Sequence, residues 1–156
     1  MDTRIITRTA IFAALVAAAT MVINIPLPAV QGFINVGDSV IFLAGLLFGP
    51  LVGGLAGGIG SMLADLLLGY AHWAPWTLVI KGIEGVIVGS LARRPLVAMP
   101  VAALWMIGGY LAAATVMYGF GPAAASIPGD LVQGAGSIVI AGLIYIPLRQ
   151  RIGERN

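Results

Sequence analysis

The chain has 156 residues, of which 60% are apolar, 22 are glycine and only 9% are charged, with 8 Lys or Arg against 6 Asp or Glu; its mean hydropathy is +1.03. An ordinary soluble domain carries roughly 25% charged residues, so this composition excludes a soluble enzyme, a disordered tail and a nucleic-acid binder, which needs Lys and Arg clustered over a broad face. The absence of cysteine removes disulfides, thiol nucleophiles and thiolate metal sites.

The apolar runs predict an all-α integral membrane protein, one domain over residues 1–156 with six transmembrane helices. A helix needs about 20 apolar residues to cross a bilayer core of roughly 30 Å. The first candidate covers residues 5–25 and stops before Pro26 and Pro28. The second, residues 38–49, ends at Pro50 and covers only about 18 Å at 1.5 Å per residue. Either it is tilted among its neighbours, or the preceding Pro26–Gly37 segment dips into the protein. Irregular backbone at membrane depth is tolerated only under a cover of protein or water, so that segment is a candidate cavity wall. The remaining spans are 51–70, 75–92, 96–119 and 128–148. Gly and Pro punctuate the boundaries. No strand-like alternation recurs to suggest a barrel.

With the N-terminus inside, Arg4, Arg8, Arg93, Arg94, Arg149, Arg151 and Arg155 all fall on the cytoplasmic side of such a bundle. The outer loops at 26–37, 70–75 and 119–127 hold no Lys or Arg. The positive-inside rule therefore predicts that both termini are cytoplasmic. A cleaved signal peptide is the rival reading of Arg4, Arg8 and the apolar run behind them. That run is longer than the usual h-region of about 7–15 residues, and no A-x-A-like site precedes Pro26.

Ala10, Ala14 and Ala18 recur every four residues on the first helix, beside Ala13 and Ala17. Such a stripe lets a second helix approach closely, either one of this protein's own or one of a separate membrane protein. The third span carries Gly53, Gly54, Gly57, Gly58, Gly60 and Ser61, which reads as close helix packing. It is not a phosphate loop, because Met62-Leu63-Ala64 follows where Gly-Lys-Ser/Thr would be needed.

Ionisable residues inside a membrane are functional-site hypotheses by default. Asp65, Lys81 and Glu84 qualify and suggest a buried ion-pair network. Asp65 and Lys81 lie about 8–9 Å below the outer surface at 1.5 Å per residue. Glu84 sits one turn deeper on the same face as Lys81. Such a network either locks two helices together, for which desolvation leaves little net gain, or leaves one carboxylate to accept a hydrogen bond from a polar guest. Tyr70, His72, Trp73 and Trp76 gather at the outer mouth, either as interfacial belt residues or as a platform for a flat heteroaromatic ring. His72 is the only histidine, and alone it makes no metal site. Asp38 reads as the N-cap of the second helix and Asp130 as a carboxylate at the positive start of the sixth. Gln133 and Ser137 continue a polar stripe with Asp130. Only arginines mark the inner half. The pattern predicts a pocket open to the outside and not a through-pore, which would need polar lining along its length.

Five stretches resemble the substrate-binding S components of energy-coupling factor (ECF) vitamin transporters. They are Ala10-x3-Ala14-x3-Ala18, Asn35-Val36-Gly37-Asp38, Phe48-Gly49-Pro50 through Ala64-Asp65, Gly69-Tyr70-Ala71-His72-Trp73, and Lys81-Gly82-Ile83-Glu84-Gly85. The resemblance covers nearly the whole chain. It is nearest to the riboflavin-type branch, which includes members linked to hydroxymethylpyrimidine and pyridoxine-like substrates. The last two helices match mainly in length and apolarity. The resemblance implies six helices, both termini inside, and one vitamin held near the outer face. It also implies that Ala10, Ala14 and Ala18 dock on a membrane-embedded T component, with two cytoplasmic ATPases driving the complex.

The expectation is thus a non-enzymatic subunit in a prokaryotic plasma membrane that captures a small heteroaromatic vitamin or precursor. Hydroxymethylpyrimidine, a pyridoxine-like molecule and riboflavin all suit it. Lys81 and Glu84 would form the pocket floor, Trp73 and Trp76 would enclose the ring, and Asn35, His72 and Gln133 would hydrogen-bond it. No cofactor, metal or nucleic acid is expected. An autonomous channel or carrier, or a purely structural membrane subunit, are the alternatives.

Overall fold

The computed structural model describes residues 2–153, with side chains through residue 150. Arg155 lies outside the described residues, as does the side chain of Arg151. Asp2 starts the first helix, its carboxylate accepting from the Arg4 amide at 3.2 Å, and α1 runs Thr3–Val22. The helix stops at Val22 and not at residue 25, because β-branched Ile23 and Ile25 and the Pro26 that follows favour extended backbone. The chain then makes a hairpin. Strand β1 (Asn24–Leu27) pairs antiparallel with β2 (Gly32–Asn35), Asn24 opposite Asn35 and Leu27 opposite Gly32. A 3-10 turn, Pro28–Val30, and a left-handed Gln31 (φ 46°) close it.

Five helices follow: α2 Gly37–Phe48, α3 Pro50–Leu68, α4 Ala74–Ser90, α5 Pro95–Tyr118 and α6 Phe120–Gly153. Proline in the first turn starts α3, α4 and α5, where its missing N–H leaves no helical bond unmade. The stretch expected as the last outer loop is helical from Phe120, so α6 begins well before residue 128. Gly119 takes φ 87°, which stops α5. Pro122 then lies in the first turn of α6, and Pro128 is carried inside the helix.

Successive helices alternate in direction. Arg8 near the start of α1 consequently lies over the Phe48 ring at the end of α2, 4.9 Å from its centroid. Arg149 likewise shares a groove with Pro95 and Leu96 at the start of α5. Arginines collect at one end of the bundle, and the hairpin covers the other. Helix α3 is central, packing on α1, α2 and α4, while α5 joins α4 to α6, and α6 returns to α2 and the hairpin. The helices α1, α3, α5 and α6 are each long and apolar enough to cross a membrane; α2, with 12 residues, and α4, with 17, are shorter. Large apolar side chains such as Val22, Leu96, Leu104, Val116 and Leu143 are exposed. A chain with this outer surface is a multi-pass membrane protein whose solvent is lipid.

The glycines of α3 do what their spacing predicts. A Cβ at Gly57 would stand 2.8 Å from the Lys81 carbonyl, and one at Gly58 would stand 2.8 Å from the Leu78 carbonyl. A Cβ at Gly85 would collide with the carbonyl of Gly53. Backbones of α3 and α4 therefore touch, as small residues permit where lipid offers no hydrophobic drive. One apolar core fills the arginine end (Phe42, Leu46, Val88, Met99, Tyr145). A second surrounds the hairpin end (Val30, Trp73, Ile80, Met106).

This contact yields a stability test. Gly85→Ala should destabilise the chain by about 1–3 kcal/mol, as overpacking of a filled core does. Thermal unfolding in detergent should show a lowered midpoint; an unchanged midpoint would mean that the two helices are free to separate.

Candidate functional site

A small cavity of about 40 Å³ opens beneath the hairpin. Helical periodicity explains its walls. Trp73, Thr77 and Lys81 stand four residues apart on one face of α4, and Ser61 and Asp65 do so on α3. Tyr110 and Ala114 line it from α5, and Ser126, Asp130 and Gln133 from α6. Thr20 reaches it from the end of α1. The hairpin contributes Leu27, Val30, Gly32, Phe33 and Asn35 as a roof.

The floor is ionic. Lys81 is 1% exposed, and its Nζ donates to Asp38 Oδ1 and lies 3.1 Å from Glu84 Oε2. Both carboxylates are at most 1% exposed. An ammonium here would be prohibitive alone, and two carboxylates in ion-pair contact, one of them hydrogen-bonded, make it tolerable. The other Asp38 oxygen, Oδ2, accepts from Gln133 Nε2 at 2.8 Å. Gln133 Oε1 in turn accepts from the Asn35 backbone N–H at 2.9 Å. Asn35 Oδ1 accepts from the Gly37 N–H at 2.8 Å and from Thr20 Oγ1 at 3.4 Å. One chain of bonds thus runs from the α4 ammonium through α2 and α6 to the hairpin and α1.

The roof is latched by Trp73, whose Nε1 is shared between the carbonyls of Val30 and Gln31, each at 3.2 Å. Its ring meets Tyr110 edge-on at 5.6 Å and Tyr118 at 6.0 Å. Tyr110 donates to Thr77 Oγ1 at 3.2 Å, and the Lys81 ammonium lies 5.4 Å from the Tyr110 centroid. Apolar and aromatic walls with a few oriented polar groups are the composition of small-molecule sites.

Of the expected ligand-contacting residues, Asn35, Trp73, Lys81 and Gln133 line this cavity together. The other three stand elsewhere. Glu84 is fully buried one turn below, against Lys81 and away from the void. His72 is exposed in the turn before α4, its ring 6.3 Å from that of Trp73. Trp76 is 39% exposed, because one residue short of Thr77 rotates it about 100° off the cavity-facing stripe. The expected ion network needs a corresponding correction. Lys81 pairs with Asp38 and Glu84, and Asp65 is not its partner. Asp65 instead lines the cavity, with its Oδ2 buried and unpartnered.

Asp38 is not the N-cap of α2, which is Val36; the side chain of Asn35 takes the Gly37 amide instead and frees Asp38 to turn inward. Asp130 sits inside α6, not at its start, and accepts from Ser126 Oγ at 3.1 Å. The spacing Ser126, Asp130, Gln133, Ser137 held the signal for an inward polar face on α6. No local pattern signalled that Asp38 meets Lys81. Ala10, Ala14 and Ala18 remain exposed on α1, while Ala13 is buried against Ala44 and Ala56.

Comparison with known proteins supplies the family. The model of the ECF-type riboflavin transporter S component matches residues 1–150, and the chain belongs to that family. It is 47% identical over 144 residues to an uncharacterized protein in a gap 3' region of Pyrococcus woesei, covering 88% of this chain and 97% of that protein. It is 31% identical over 152 residues to the thiamine precursor transporter HmpT of Lactococcus lactis, covering 97% and 90% of the two chains. A UPF0397 protein of Streptococcus pneumoniae is 37% identical over 71 residues, 46% of this chain and 38% of that one. The family is one of transmembrane transporter components serving vitamin uptake, not of enzymes.

The ionic floor makes a ranked prediction. Lys81→Met strands two buried carboxylates and should cost about 3–5 kcal/mol. Glu84→Gln should cost less, because Asp38 still answers the ammonium. Arg93→Met, at the exposed end, should stay within about 0.5 kcal/mol of the parent. Denaturant unfolding in micelles checks the order; a Lys81→Met variant as stable as the parent would remove the triad from the folding energetics.

Proposed function

We propose that this S component captures a small heteroaromatic vitamin or vitamin precursor from the outer side of a prokaryotic plasma membrane. The whole chain acts as one domain of six spans, α2 and α4 being short and held among longer neighbours, with both termini cytoplasmic. The orientation is supported by the arginines at one end of the bundle and their absence from the hairpin end. The single observation that carries the reading is the cavity under the hairpin, lined by Lys81, Trp73, Asn35 and Gln133. These four residues are the proposed direct contacts. Glu84 acts through Lys81, and His72 and Trp76 belong to the mouth.

Below the floor the arginine end is filled by Phe42, Leu46, Val88 and Met99. That apolar filling disfavours an autonomous channel, which would need polar lining along its length. Delivery then depends on another subunit. The exposed Ala10, Ala14 and Ala18 stripe on α1 supports docking on a T component worked by two ATPases. Among candidate guests, a thiamine precursor is favoured by the similarity to HmpT, and riboflavin by the family's description.

Two experiments bear on this. Mass spectrometry of the protein released from mild detergent should find one small heteroaromatic molecule per chain. No bound molecule, together with uptake into liposomes lacking ATPases, would point to a carrier instead. For docking, Ala14→Leu should lower recovery of the complex with the T component by about tenfold, a change near 1.4 kcal/mol. Ligand affinity should be unchanged; lost ligand binding with intact assembly would contradict a docking role.

A further inference from the structure

At the arginine end, α5 and α6 share a core that includes the small residues Ala98, Ala102 and Ala141. Outside that core the two helices leave a groove on the lipid-facing surface. Near the bundle end the groove holds about 580 Å³, between Leu96 and Met99 of α5 and Tyr145, Ile146 and Arg149 of α6. Leu96, Met99 and Ile146 also line its continuation, about 380 Å³ beside Val139, Gly142 and Leu143. Gly142 keeps this stretch open, since a Cβ built there finds no atom within 4 Å. From Ile138 to Arg149 the α6 wall rises about 16 Å at 1.5 Å per residue. That is close to half of a bilayer core of about 30 Å, so the groove has the reach of one leaflet.

Its two ends differ in chemistry. The far end is wholly apolar, with Ile138, Val139 and Leu143 as walls. The near end is cationic. Arg149 lines it beside the Gln150 amide, and the exposed Arg93 and Arg94 immediately precede Pro95, another lining residue. Arg94 is the N-cap of α5, and no side chain caps that helix start, which leaves its positive end open. Among the described residues no Asp or Glu lines either stretch.

This combination selects among occupants. A soluble anion would use the arginines and leave the apolar stretch empty. An apolar helix of another protein would fill the stretch and leave the arginines unanswered. A zwitterionic lipid would bring a second cation beside them. A lipid with a net negative headgroup meets both ends at once, because guanidinium groups take phosphate oxygens in pairs and basic pockets between helices at the cytoplasmic face suit anionic headgroups.

We propose that this groove binds one anionic phospholipid, its phosphate on Arg149 at the start of α5 and one chain laid along α6 past Gly142. With the arginine end cytoplasmic, as proposed above, the lipid belongs to the inner leaflet. The site shares no lining residue with the cavity under the hairpin or with the Ala10, Ala14 and Ala18 stripe.

The test is native mass spectrometry of the full chain in neutral-detergent micelles, doped equally with phosphatidylglycerol and phosphatidylcholine of the same chain length. The parent should retain one phosphatidylglycerol at least about fivefold over phosphatidylcholine, the effect of one arginine at an anionic surface. Arg149→Gln should bring the two lipids toward parity. Gly142→Leu, which fills the open notch, should lower phosphatidylglycerol retention by a similar factor. Arg8→Gln, at the same end of the bundle but on α1 over Phe48, should leave retention unchanged. Parity of the two lipids on the parent overturns the proposal, and that result needs no variant to fold. A loss with Arg8→Gln equal to that with Arg149→Gln also overturns it, since the attraction would then be diffuse. Full retention by Gly142→Leu, or displacement of the lipid by excess glycerol phosphate, would equally contradict a chain held in this groove.

Discussion

An ammonium buried in a lipid-solvated bundle must be neutralised on the spot, and the position of Lys81 imposes that condition on nearly every element of this fold. Lys81 is on α4, its partners come from α2 and from the next turn of α4, and a third group from α6 holds the first partner in place. These helices can meet only if their backbones approach closely. Glycines 53, 57 and 85 allow α2, α3 and α4 to do so. The shortness of α2 follows the same logic. Its first turn must lie at the depth of the ammonium, so the chain before it descends as a hairpin and does not extend the helix. That hairpin satisfies its own backbone through β1–β2 pairing and Trp73, which is what irregular chain at membrane depth requires.

The asymmetry of the bundle follows from where polar groups can be afforded. Toward the arginine end, apolar side chains pack around Phe42 and Met99. Toward the hairpin end, side chains are held apart by oriented polar contacts, and the space between them is the cavity. The chain Lys81, Asp38, Gln133, Asn35, Thr20 ties that cavity to α1, the helix whose small-residue stripe is left exposed.

The helices were legible because lipid forces apolar runs and because Gly and Pro mark their ends. The α3 glycine pattern gave its packing role, and the Lys81/Glu84 spacing put both on one face of α4. Three things were not legible. The hairpin was hidden because Pro26, Pro28 and Gln31 look like a plain loop, and its pairing is a tertiary outcome. The early start of α6 was masked by Pro122 and Pro128, which a helix tolerates in its first turn or where its outer face is free. One of the two partners of Lys81 was missed because Asp38, two residues into a helix behind an Asn-x-Gly, has the signature of a cap. That Asp38 and not Asp65 meets Lys81 is a tertiary outcome, which no local pattern encodes. For the same reason His72 and Trp76 could not be told from Trp73 by composition alone; only the helical phase of α4 separates them.

The central claim is that costly ionic groups are kept here because they floor a guest site. The most direct measurement is an experimental structure of the chain purified with its native small molecule. Density for a flat guest is expected between Trp73 and the Lys81 floor, within reach of Asp65 and under the hairpin. Density only in the lipid-facing grooves, or Asp65 swung onto Lys81 in an interior with no room left above it, would contradict that claim.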